Sequence, residues 1–71
     1  MKYYHVTVND RKTCEIVFEF QVPANNSGEA MTKTRNYLVS KGHEITDLAH
    51  VLVTREIGFP GMTGIPLLND C

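Results

Sequence analysis

The stretch Asn25 to Gly42, NNSGEAMTKTRNYLVSKG, carries its own start and stop signals and so restricts the fold more than any other part of the chain. Asn26 followed three residues later by Glu29 fits a capping box, in which each side chain satisfies an orphan N–H at the helix start. Gly42 stands where a helix ending near Lys41 needs a left-handed residue, and the Lys41 charge suits the negative end of the helix dipole. Between these signals Ala30, Met31, Thr34, Tyr37 and Leu38 fall on one stripe, so the segment reads as an amphipathic helix with one core-facing side. Glu29 and Lys33 form an i,i+4 pair on its wet side.

Two alternating segments precede this helix. In Lys2 to Val8, Tyr4, Val6 and Val8 share one face, while Tyr3, His5 and Thr7 share the other. Asn9-Asp10-Arg11-Lys12 is a polar turn of hairpin length. From Thr13 to Val22, Cys14, Ile16, Phe18, Phe20 and Val22 point one way, and Glu15, Val17, Glu19 and Gln21 the other. Pro23, which has no N–H for a ladder, is expected to end that strand. After the helix, Ile45, Leu48, Ala49 and Leu52 fit helical spacing, but the β-rich run Val51 to Thr54 and the missing N-cap favour a strand ending near Ile57. Its apolar residues lie on both faces, as in a well-covered strand.

The order strand, strand, helix, strand predicts an α+β fold of the split β-α-β type, ββαβ, over residues 1–57. A right-handed crossover returns the third strand parallel to the second, with the first between them. The expected three-stranded sheet, antiparallel or mixed, has order 2-1-3, with the helix on one face. Residues 58–71 break the pattern: Gly58, Pro60, Gly61, Gly64 and Pro66 punctuate Phe59, Met62, Ile65, Leu67 and Leu68. Such an irregular apolar tail either folds back over the domain or is held by a partner.

Seventy-one residues bury only about 60% of the surface of the unfolded chain, so the core is small. Net charge is −1, from seven basic and eight acidic residues. A basic stripe for duplex binding and a dense acidic run for mimicking DNA are both missing. Two cysteines, Cys14 and Cys71, with no apolar signal segment behind Met1 and no run long enough to span a bilayer, point to a reducing cytoplasm and no membrane. A Cys14–Cys71 bridge is the minority alternative.

Catalytic patterns are lacking. There is no Gly-rich phosphate loop or nucleophile elbow, and the carboxylates are dispersed. His43, Glu44, Asp47 and His50 have the chemistry of zinc ligands, but on a loop and strand they diverge. The expectation is therefore a non-enzymatic chain with no catalytic residue, metal or cofactor. The sheet face opposite the helix is the more informative surface. It is expected to present Tyr3, His5, Val17 and Glu19, an aromatic and aliphatic patch rimmed by charge that suits a protein partner or a second copy. Stacking on unpaired bases is less favoured there, because Glu15 and Glu19 repel phosphate and Lys2 alone offsets them. Arg35 and Val39, on the outer side of the helix, form a second candidate anchor, and Phe59 and Met62 a third on the tail.

The layout of a hairpin, one helix and one strand resembles that of many short phage-encoded proteins, anti-CRISPR and other anti-defence inhibitors among them. The resemblance is one of size and architecture, and carries no functional residue across. It implies a small cytoplasmic inhibitor or regulator that occupies a surface of a larger protein or ribonucleoprotein. The alternatives are a nucleic-acid-binding accessory domain and a self-associating structural subunit.

Overall fold

The computed structural model describes residues 2–61 and 63–68. Its elements run β1 (Lys2–Asp10), β2 (Ile16–Ala24), α1 (Ser27–Ser40) and β3 (His50–Ile57). The sheet order is β2-β1-β3, with β1 antiparallel to both neighbours. This is the expected ββαβ, α+β architecture.

Helix α1 begins and ends where its local chemistry directs. The Asn26 side chain accepts from the Glu29 backbone N–H at 2.8 Å, satisfying one of the four donors that a helix start leaves unpaired. The Glu29 carboxylate does not close the box; it accepts from Asn25 Nδ2 at 3.3 Å and lies 3.5 Å from Lys33 Nζ. At the other end Gly42 adopts φ +88°. Its N–H donates to Val39 and that of His43 to Leu38, at 3.0 and 2.9 Å. Those two bonds make a Schellman motif, and its left-handed residue favours glycine.

The helix lays Ala30, Thr34 and Leu38 on the sheet, all buried. Tyr4, Val6 and Val8 meet them from β1, and Val22 and Ala24 from β2. Ile45, from the loop after the helix, joins Val8 and Leu38. Phe20 packs edge-on to Tyr37, and Phe18 edge-on to His43, at centroid distances of 5.5 and 4.8 Å.

The hairpin differs from expectation. Its loop runs from Arg11 to Glu15 rather than Asn9 to Lys12. The Asp10 carboxylate accepts from the Lys12 and Thr13 N–H groups at 2.8 and 3.0 Å, and these bonds, Thr13 first, hold its pKa below the ordinary 3.8. Cys14 then turns the chain with φ 62°. The register shifts between Val8 and Asn9: Val8 faces Phe18, whereas Asn9 faces Ile16. Val17 is the extra residue of a β-bulge, and the strict alternation breaks there. Ile16 is thereby set opposite Asn9, on the face away from the helix, and Cys14 lies exposed in the loop. Neither belongs to the core-facing row expected of them.

Pro23 does not end β2, which continues to Ala24. Gln21, two residues earlier, directs its N–H away from β1 to the Pro66 carbonyl. By alternation position 23 faces outward too, so the missing N–H removes no bond of the β1–β2 ladder. The Pro23 carbonyl accepts from Lys33 Nζ at 2.8 Å.

The tail returns to this same edge. β3 ends beside Tyr3, on the far side of β1 from β2, yet Leu67 makes a parallel bridge to Gln21. Leu68 is only 2% exposed and packs with Tyr4, Val22, Ala24 and Ala30. Residues 65–68 therefore dock on the chain's own domain.

Candidate functional site

The sheet face turned away from α1 is built in rows by the register. Ile57, Tyr3 and Pro23 form one row, and Arg55, His5 and Gln21 the next. Val53, Thr7 and Glu19 follow, then Val51, Asn9 and Ile16, with the bulged Val17 between the last two rows on β2. Period-two alternation places them on one side, and the bulge brings Ile16 round to join them.

These rows divide into three zones. At the tail end Gln21 is 3% exposed, and its amide donates to the Ile65 carbonyl at 2.6 Å. Tyr3, in the neighbouring row, is half-buried. In the middle, His5 Nε2 lies 2.9 Å from Glu19 Oε2, so these two predicted site residues occupy one another. The hairpin end is apolar and wet on its two outer strands, with half-buried Thr7 and Asn9 between them: Ile16 is 56% exposed, Val17 45%, Val51 36% and Val53 49%.

Of the expected site residues on this face, Val17 alone lies in that apolar patch. Ile16 escapes sequence reading because the bulge turns it over. Val51 and Val53 were visible as β-branched residues, but their strand is not well covered: one face meets solvent. The alternation Val51, Val53, Arg55 against His50, Leu52, Thr54 was the available signal.

The other candidates are scattered. Arg35 Nη2 binds Asp47 Oδ1 at 2.8 Å, while Arg11 Nη2 reaches the Asp47 carbonyl at 2.6 Å. Arg35 thus helps fix the loop before β3 instead of standing free beside Val39, which is 56% exposed. That loop carries Leu48, 91% exposed, which sequence reading did not single out. Phe59 is 75% exposed, and Met62 lies outside the described residues. So does the Cys71 half of the alternative disulfide; the Cys14 thiol is free and exposed.

Electrostatically the face is mixed. Arg55 and Glu19 are its charged groups along the strands, and Lys2 is drawn to Glu56, 3.4 Å away. Among the described residues no group of three or more His, Cys, Asp or Glu side chains gathers at metal-binding distance. Nor is any described helix long and apolar enough to cross a membrane. No protein-family model, curated protein or solved structure matches the chain.

Proposed function

We propose that this chain is a non-enzymatic binding protein that uses the hairpin end of its open sheet face to occupy a surface of a larger protein or ribonucleoprotein. One observation carries the reading: four β-branched side chains stand exposed at one end of the same sheet face, Ile16 and Val17 on β2 and Val51 and Val53 on β3, on either side of Thr7 and Asn9. At about 25 cal/mol per Å² such a patch gains from being covered, and a sheet presents it with little ordering cost. In its finer form the proposal is an inhibitor acting by steric occlusion, as the size and layout it shares with phage anti-defence proteins suggest. Nucleic acid suits the face less well, because Glu19 stands at its centre and Arg55 is its single strong cation.

The test is affinity capture with the full chain, alongside the Val17→Glu variant. A protein partner retained by the wild type in moderate salt and released by the variant supports the proposal. Capture that Val17→Glu leaves intact, or that disappears on nuclease treatment or steeply with salt, overturns it.

A further inference from the structure

The two edges of the sheet are treated differently. On β2 the outer edge carries Pro23, the bulge at Ile16 and Val17, and the bridge to Leu67. Each is a recognised device against stray strand pairing. β3 has none of these: its eight residues contain no proline, its register with β1 is unbroken, and no described residue pairs with its outer side.

The backbone groups on that outer side can be assigned. Gln21 sends its N–H to Pro66 and receives the Leu68 N–H on its carbonyl, at 2.9 and 2.8 Å, so both its groups point away from β1. In an antiparallel ladder, its partner His5 therefore turns its own groups toward β3. Thr7 follows by alternation. Arg55 and Val53, opposite them, bond inward to β1, which leaves the N–H and C=O groups of Leu52, Thr54 and Glu56 facing outward. His50 is already engaged, its N–H donating to Thr46 at 2.9 Å.

We infer that two copies of this chain pair antiparallel through their β3 edges, about a two-fold axis at Val53, to form a continuous six-stranded sheet. A two-fold axis normal to the sheet keeps both helices on one face and requires core-side residues to meet core-side residues. Centred on Val53, Leu52 and Thr54 exchange both hydrogen bonds with Thr54 and Leu52 of the second copy. On the open face Val53 meets its own counterpart, and Val51 meets Arg55. On the helix face His50 meets Glu56, so the pairing sets an imidazole beside a carboxylate and no like charges directly opposite. A slip of two residues in one direction sets Glu56 against Leu52, and a slip of four sets Arg55 against Arg55. The Val53 register is the one the charges favour. It also joins the two exposed valine patches into one surface.

Sedimentation equilibrium of the full chain, from low micromolar to near-millimolar concentration, tests this. The wild type is expected to shift reversibly from monomer mass to twice that mass. Thr54→Pro removes an outward N–H and no bond to β1, so it should keep the wild-type circular dichroism and stay at monomer mass throughout. Val53→Lys, which sets two ammonium groups at the axis, should do the same and serves should the proline variant fail to fold. With Cys14→Ser and Cys71→Ser in place, Val53→Cys should oxidise readily to a linked dimer, since a non-hydrogen-bonded pair brings Cα atoms to about 4.5 Å, within disulfide reach. A wild type at monomer mass at every concentration overturns the inference, as does a dimer that folded Thr54→Pro and Val53→Lys leave intact. Val17→Glu, remote from this edge, should not alter the dimer, so the two proposals fail separately.

Discussion

Leu68 donates its backbone N–H to the Gln21 carbonyl at 2.8 Å, and the same residue buries its side chain between the helix and the sheet. One residue of an irregular tail thus closes an open sheet edge and fills a core site. The tail's apolar content is partly explained by this double use. Leu67, its neighbour, remains 50% exposed, as the alternation of an extended segment requires. Four further exposed β-branched residues, Ile16, Val17, Val51 and Val53, lie at the opposite end of the sheet.

Leu68→Ala is expected to lower unfolding free energy by roughly 2–5 kcal/mol, the range for truncating a buried leucine. Urea denaturation followed by circular dichroism measures it. Truncation after Gly64 should cost at least as much, because it also removes both backbone bonds to Gln21. Leu67→Ala should change stability by less than about 0.5 kcal/mol, the usual range for surface positions.

Cys14 occupies left-handed backbone at φ 62°, which is strained by about 1 kcal/mol for a residue with a Cβ. Cys14→Gly should relieve that strain and raise the urea midpoint. Cys14→Val, branched at Cβ, should lower it. Equal midpoints for the two would show that the turn does not depend on this conformation.

The Asp10 carboxylate should make the hairpin acid-sensitive. Its pKa lies below 3.8 in the folded state because the Thr13 and Lys12 N–H groups stabilise the charged form. The unfolded state therefore takes up the proton first as pH falls. The stabilisation is fully present above the unfolded value and fades as pH drops below it, through the folded value. Asp10→Asn should flatten that part of the stability profile, measured as urea midpoint against pH from neutral to acid.

At the helix start, Asn26→Ala should cost about 1 kcal/mol, as expected for losing an N-cap. Asn26→Ser should recover most of it. Thermal denaturation of the three chains checks both.

Helix α1 was legible because its signals are local: Asn26 and Gly42 act within a few residues of the ends they define. Strand order followed from the crossover rule, which prunes topologies without needing contacts. The features that were not legible depend on distant partners or on one extra residue. The bulge that turns Ile16 to the open face inserts Val17 without disturbing the local β-propensity of the run. Pro23 lies inside β2 because its outward direction, set by the ladder, costs no bond. The destination of the tail depends on Gln21, 46 positions from Pro66's neighbour Leu67 in the parallel bridge. As for the face itself, the side opposite the helix was identifiable from alternation, but the end of it that exposes apolar side chains was not. Tyr3 sits near the tail, and His5 and Glu19 hold each other, which leaves Val17 beside Ile16, with Val51 and Val53 across β1 on the same face.

The measurement that bears most directly on the account is partner retention by Val17→Glu relative to wild type, on samples whose urea midpoints agree within error. Matched midpoints are expected, because Val17 is 45% exposed and outside the core, together with loss of the protein partner. Retention equal to wild type at matched stability would contradict it.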